Sequence, residues 1–200
     1  MIERKGRIMF NFFAYISRMK YIARWSLMRN SFSENIQEHS HAVAVLAHAL
    51  GVIRRDVFHV DCDPNICATA ALYHDASEIL TGDLPTPIKY YSPAIREAYR
   101  QVEDEAATKL LDMLPDEMRG SYEPLLREED EEIRKIVKAA DKLSAYIKCV
   151  EELRAGNNEF RDAGHETLES LKAMNMPEVD WFLERFGGSF GLTLDELRRQ

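Results

Sequence analysis

An all-α fold, built as one compact helical bundle, is what this chain predicts, and three observations carry the prediction. Ile133, Ile136, Val137, Ala140, Ser144 and Ile147 recur at helical spacing, the periodicity of a helix with one face toward a core. Start signals recur along the chain: Asn35 with Glu38 three residues later, then Asp63-Pro64 and Ser92-Pro93. The first has the spacing of a capping box, and the others place a cap residue before a proline suited to the first helical position. No persuasive two-residue alternation of a half-buried strand appears. At 200 residues the chain can bury a sizeable core, and no repeat or Pro/Gly/Ser-rich stretch marks a second unit. Residues 1–200 are read as one domain, with 1–9 a flexible N-terminal extension.

The elements follow in order. Arg4, Lys5 and Arg7 precede the apolar run IMFNFFAYI and imitate a targeting signal, but Asn11 interrupts it, Arg18 and Lys20 follow, and no small-residue cleavage site appears. That segment reads as a helix with Phe12, Phe13 and Ile16 toward the core, too short to cross a membrane. Asn35 opens a helix through HAVAVLAHALGVI, with His39 in its first turns. The run from Ile66 to Leu80, ICATAALYHDASEIL, reads as one packed helix with His74-Asp75 in its middle. Thr81 to Pro87 is the principal break, directly after it, and loops beside a rigid site often shape a pocket. The acidic run Glu128 to Glu132 suits the N-terminus of the long helix carrying Asp141, and Gly156-Asn157-Asn158 closes that helix.

Charge and cysteines exclude some functions. A net charge of −8 argues against a nucleic-acid surface, which needs clustered Lys and Arg. Cys62, Cys67 and Cys149 are odd in number and lack a CxxC pair, so a reducing compartment is expected rather than a disulfide framework, and Cys62 and Cys67 are too isolated to nominate as ligands.

Four metal-capable side chains stand out because they fall in stretches that otherwise read as buried helix: His39, His74, Asp75 and Asp141. Buried carboxylates are costly unless paired or bound to metal. Taken singly, each has an ordinary alternative: a lone histidine on an apolar face is usually a hydrogen-bonded core residue, and Asp141 could pair with Lys138 three residues back. Jointly, two imidazoles and two carboxylates form a nitrogen and oxygen set suited to a divalent transition metal, with positions left for water or substrate.

The series His39, His74-Asp75, Asp141, with the strings RWSLMRN (24–30), ENIQEHS (34–40), YHDASEILTGDLPTPIKY (73–90) and KAADKLSAYIKCVEEL (138–153), resembles the HD-domain metal-dependent phosphohydrolases, and within them the bacterial 5′-deoxynucleotidases. The resemblance runs from about Phe10 to about Leu197. It implies a cytoplasmic, homodimeric, all-helical HD-domain enzyme that removes the 5′-phosphate from deoxyribonucleoside monophosphates with little regard for the base. No nucleic-acid polymer or membrane is expected as a partner. The implied cofactor is one divalent transition-metal ion held by His39, His74, Asp75 and Asp141, with cobalt favoured and manganese, zinc, nickel or iron admissible. No histidine lies between His74 and Asp141, whereas two-metal HD phosphodiesterases add histidines there, so a single ion is expected.

Roles can be attached. Phosphate-monoester hydrolysis needs charge neutralisation and an oriented water. Glu78, one turn beyond His74 and three residues beyond Asp75, is the candidate general acid and base; spacing alone leaves a solvated helix-end residue equally open, and the resemblance assigns the catalytic role. Arg24-Trp25 is an ordinary dipeptide by itself, yet a guanidinium suits phosphate and an indole offers a flat wall. The resemblance gives Arg24 the phosphate, as a catalytic and binding residue, and sets Trp25 against the deoxyribose. It adds His39, Asp75 and Asp141 as substrate contacts and Asp83, Leu84, Pro85 and Thr86 as the sugar loop, with Asp83 accepting from the 3′-hydroxyl. His41 and His48 are read as structural, and His59 and His165 sit in polar surroundings. Alternatives are an HD hydrolase of a triphosphate or ribonucleotide, or a catalytically silent nucleotide or metal sensor.

Overall fold

The computed structural model describes residues 9–89, 91–127 and 129–199, so the basic residues before the first helix, Tyr90 and Glu128 lie outside the described residues, as does the Thr86 side chain. The described residues are helical, with a lone antiparallel bridge from Ala23 to Asn35 and no named strand. None of the described helices is long and apolar enough to cross a membrane.

Helix α1 (Phe12–Ile16) is followed by a 3-10 turn at Met19–Tyr21 and a loop to α2 (Ile36–Val52). The capping box is present: Asn35 Oδ1 accepts from the Gln37 and Glu38 amides, and Glu38 accepts from the Asn35 amide. α2 widens into a π turn at Ile53–Val57, which no sequence signal announced. Helix α3 (Pro64–Tyr73) starts on Asp63, whose carboxylate accepts from the Asn65 amide, with Pro64 in the first turn. Short helices α4 (Glu78–Thr81) and α5 (Thr86–Lys89) flank the 81–87 loop, and α6 (Pro93–Leu111) opens on Ser92 as expected. After α7 (Asp116–Arg127), the long α8 (Glu131–Arg154) is capped by Asp130 and ends before Gly156, whose φ of +87° suits glycine. Helices α9 (Arg161–Lys172), α10 (Pro177–Phe186) and α11 (Leu194–Leu197) complete the chain.

The core lies where α2, α3 and α8 meet. Val43, Ala47 and Leu50 pack with Cys67, Ala70, Ala71, Ile136, Val137, Ala140 and Leu143, and α9 and α10 close the layer with Leu171, Val179 and Phe182. Full burial of a leucine such as Leu50 or Leu143 contributes about 1.5–3 kcal/mol. At Gly51 a Cβ would stand 3.0 Å from Pro64 Cα, so glycine permits the close α2–α3 approach. A second cluster gathers Phe12, Ala76, Leu110, Leu111 and Leu114.

Three expectations are corrected. Phe13 does not face the core: it is 55% exposed, with its ring edge-on to Phe12, because five residues of α1 present one apolar edge and Phe12 occupies it. The 66–80 run is not one helix. α3 stops at Tyr73, and bonds from the amides of Ala76, Glu78, Ile79 and Leu80 to carbonyls three residues back wind the chain more tightly into the start of α4. Cys62 and Cys67 are not isolated, since the turn into α3 sets their sulfurs 3.7 Å apart as free thiols.

Candidate functional site

The packing of α2, the α3–α4 turn and α8 brings His39, His74, Asp75 and Asp141 together. His39, fully buried in the second turn of α2, has Nε2 3.0 Å from Asp141 Oδ1 and 3.6 Å from Asp75 Oδ2. Its other nitrogen, Nδ1, meets Ser144 Oγ at 3.3 Å, one turn along α8 from Asp141. His74 has Nδ1 2.7 Å from the Ala71 carbonyl. A carbonyl only accepts, so Nδ1 carries the proton and the Nε2 edge turns to the carboxylates, 3.1 Å from Asp75 Oδ2. Both imidazoles are thus anchored at one nitrogen and presented at the other. Asp141 does not pair with Lys138; His39 takes that carboxylate.

The electrostatics match this crowding. Burial would lower the His74 pKa, but Asp75 and Asp141 carry it up to about 9. Burial would raise Asp141, yet the His39 hydrogen bond and the charges of His39, His74 and Arg24 hold it below the usual carboxylate range. Asp75 is lowered as well, His74 and His39 outweighing burial.

Among the described residues, His39, His74 and Asp141 offer ligand atoms all within 4.8 Å of one another, with Asp75 beside both imidazoles. Two ligands each about 2.1 Å from one ion at right angles are about 3 Å apart, the scale of these contacts. Buried His74 Nε2 also lacks a well-directed hydrogen bond within the protein, and its donor set is the mixed nitrogen and oxygen kind that divalent transition metals favour. The residues therefore fit a divalent ion. Asp141→Ala is expected to weaken metal binding by more than about 100-fold, ligand loss exceeding the effect of losing an outer-shell partner. Metal analysis after dialysis checks it, and undiminished occupancy would remove Asp141 from the ligand set.

Arg24 stands next to the cluster. Its Nη1 is 3.4 Å from Asp75 Oδ2, while its Nε donates to Glu34 Oε2 at 3.1 Å. The Trp25 indole donates to the same Glu34 oxygen at 2.9 Å. A cavity of about 700 Å³ opens here, within the usual size of small-molecule sites. Arg24, Trp25, Asp83, Pro85 and Asp141 line it, whereas His39, His74, Asp75, Glu78 and Leu84 do not. Asp141 joins the two parts, touching His39 and lining the cavity. Glu78 is 6% exposed, and its Oε2 has no hydrogen-bond partner. Burial, then Asp75 and Asp83, push its carboxyl up to about 9. Glu78 is thus a buried acid, not a solvated helix-end residue.

Residues 11–190 match the model of the 5′-deoxynucleotidase YfbR-like family. The chain belongs to that family. The 5′-deoxynucleotidase of Erwinia tasmaniensis is 49% identical over 192 residues, which cover 95% of this chain and 97% of that one. The 5′-deoxynucleotidase of Vibrio atlanticus is 48% identical over 94% of this chain and 97% of its own. Among solved structures, an HD-domain phosphohydrolase from Listeria innocua matches with a TM-score of 0.79 at 24% identity, covering 94% of this chain and 92% of that chain. A cyanophage S-2L HD phosphohydrolase, bound to dA and one catalytic Zn²⁺ ion, matches at 0.61 and 22% identity over 86% and 94%. These two likenesses show the HD fold, and the YfbR-like membership places the chain among the phosphohydrolases.

Several participants were not singled out from sequence. Glu34 lies in a loop ten residues from Arg24, where no periodicity links them. Lys142 lines the cavity beside Asp141, as does Lys138, which the sequence offered only as an ion-pair partner for Asp141. Arg29, in the same RWSLMRN string as Arg24, pairs with Glu159 and does not line this cavity. His41, His48, His59 and His165 are exposed.

Proposed function

We propose that this chain is a metal-dependent 5′-deoxynucleotidase that hydrolyses deoxyribonucleoside 5′-monophosphates to deoxynucleosides and phosphate. The observation that carries the reading is the convergence of His39, His74, Asp75 and Asp141 beside Arg24 and Trp25. A divalent ion held by those four residues would neutralise charge on the phosphoryl oxygens and acidify water.

The chain's own groups divide the remaining work. Arg24 has its Nε on Glu34 and one Nη1 hydrogen toward Asp75, which leaves its remaining Nη donors for the phosphate. The Trp25 ring, 5.3 Å from Phe160, backs one side of the cavity as a wall for the sugar. Asp83 on the same cavity is the acceptor for a 3′-hydroxyl, with Leu84, Pro85 and Thr86 completing that loop. Glu78, whose carboxyl is pushed up by burial and by Asp75, supplies a proton to the departing 5′-oxygen, and as the carboxylate this leaves takes one from the attacking water, returning to its starting form.

The cavity wall favours a monoester over a triphosphate. Apart from the ion, its cations Arg24, Lys138 and Lys142 are matched in number by Asp83, Asp141 and Glu166, so the side chains of the wall add no surplus of positive charge for an extended phosphate chain. The same reading includes a homodimer acting in the cytoplasm, with cobalt the favoured ion.

Phosphate release from deoxyadenylate, adenylate and deoxyadenosine triphosphate, by metal-stripped protein with each divalent ion restored in turn, tests the proposal. Metal-dependent release that prefers deoxyadenylate is expected. Release from the triphosphate alone, or equal release with and without metal, would overturn it.

A further inference from the structure

We infer that Glu34 is a positioning residue that sets the preference for deoxyribose, by fixing Arg24 and Trp25 with a single carboxylate oxygen. The inference rests on the deoxynucleotidase reading above and deepens it.

Glu34 Oε2 accepts two hydrogen bonds at once, from Arg24 Nε at 3.1 Å and from Trp25 Nε1 at 2.9 Å. Its side chain is 16% exposed, so both bonds are shielded from water, and hydrogen bonds to an ionised acceptor are roughly twice as strong as neutral ones. The backbone of Glu34 holds the same stretch, because its carbonyl accepts from the Arg24 amide at 2.9 Å and the Ile36 amide donates to the Ile22 carbonyl at 3.0 Å. Residues 22–24 and 34–36 thus form a miniature ladder around the Ala23–Asn35 bridge. Asn35 then caps α2, the helix of His39. Substrate-reading side chains and metal-site helix share one anchor.

Trp25 needs such an anchor. Its φ is +58°, a left-handed conformation that is strained for a residue with a side chain and persists where its surroundings enforce it. Beyond Glu34, the enforcing contacts are Phe160 against the ring and the Met28 amide and Asn30 side chain on the Trp25 carbonyl. Of these, Glu34 alone also holds Arg24. Since its one oxygen spans the phosphate-facing and sugar-facing side chains, a change at Glu34 must move the wall relative to the phosphate grip. A wall that crowds a 2′-hydroxyl discriminates only while that spacing is kept.

The test compares kcat/KM for deoxyadenylate and adenylate in the wild type, Glu34→Ala, Glu34→Gln, Trp25→Ala and the Glu34→Ala/Trp25→Ala pair. Glu34→Ala is expected to lower the deoxy-to-ribo ratio by about tenfold or more, as small misplacements near a reacting centre do. Glu34→Gln keeps an oxygen of the same reach and should hold the ratio within about threefold of wild type. In the Trp25→Ala background, Glu34→Ala should change the ratio no further, the non-additivity of residues acting as a unit. An unchanged ratio in Glu34→Ala, or a full second loss in the double variant, overturns the inference. Should the alanine variant fail to fold, Glu34→Asp carries the test: one methylene short, it cannot span both donors and must lower the ratio. The positioning claim also has a readout without turnover. In a Trp181→Phe background Trp25 is the sole tryptophan, and Glu34→Ala should shift its emission; an unshifted spectrum sinks the claim. Absent phosphate release by the wild type, in contrast, strikes the deoxynucleotidase reading and leaves the fluorescence result to stand by itself.

Discussion

Glu78→Gln is expected to cut turnover of deoxyadenylate by roughly 10²- to 10⁴-fold, the usual contribution of a positioned acid or base, while metal and nucleotide still bind. The side chain is buried, its Oε2 is unpaired within the protein, and its carboxyl sits at about 9. Glutamine matches its shape but neither carries an acidic proton nor accepts one at neutral pH. Single-turnover phosphate release separates loss of chemistry from loss of binding, and metal content of the purified variant checks the ion site. Turnover within about threefold of wild type, far short of that range, would assign the proton to another group. Loss of metal together with turnover would make Glu78 part of the ion's support instead.

The largest stability effect is expected well away from the cluster. Lys148 and Glu152, one turn apart on α8, are both buried, with Nζ 2.5 Å from Oε1. Glu152 also accepts from the Ser31 amide at 2.9 Å and from Asn157 Nδ2 at 2.8 Å, and Lys148 donates to the Phe32 carbonyl at 2.7 Å. Glu152→Ala strands a buried ammonium, a change that costs about 3–5 kcal/mol, whereas replacing both partners by apolar residues is often far milder. For a chain of this size that corresponds to a fall in Tm of roughly 6–20 °C by calorimetry. A drop under about 2 °C would mean that the pair contributes little. The pH dependence has a definite sign. Burial opposes ionisation of Glu152, but Lys148, Asn157 and Ser31 hold it down at about 2, against an ordinary value of 4.5. A depressed carboxylate stabilises the fold above its unfolded pKa, so this contribution is complete above about pH 5 and disappears as pH falls toward 2.

Much of the framework was legible because it rests on local chemistry. Caps at Asn35, Asp63 and Ser92, the α8 stripe, and the closing Gly156 each act through a few neighbouring residues, and each appears where the pattern placed it. The convergence of His39, His74, Asp75 and Asp141 was also legible, since polar groups embedded in apolar helix demand partners. What stayed hidden depends on tertiary contact. Glu34 meets Arg24 across a loop. Lys148 and Glu152 have the spacing of an ordinary surface ion pair, and it takes Ser31 and Phe32 with Asn157 and Phe160, packed onto α8, to cover them. The end of α3 at Tyr73 was concealed because no glycine or proline marks it, and the apolar run passes through without a change of composition.

That tight winding after Tyr73 has a geometric consequence. In a regular α-helix three residues sweep about 300° around the axis, whereas a turn closed by three-residue bonds sweeps about 360°. Asp75 and Glu78 are joined by such a bond, from the Glu78 amide to the Asp75 carbonyl, so their side chains are eclipsed along the axis. Relaxing the segment into ordinary helix would rotate one carboxylate about 60° from the other. The angular relation between the Asp75 and Glu78 carboxylates is therefore written into backbone pitch, and a one-residue insertion between them would destroy it while both side chains stay in the sequence.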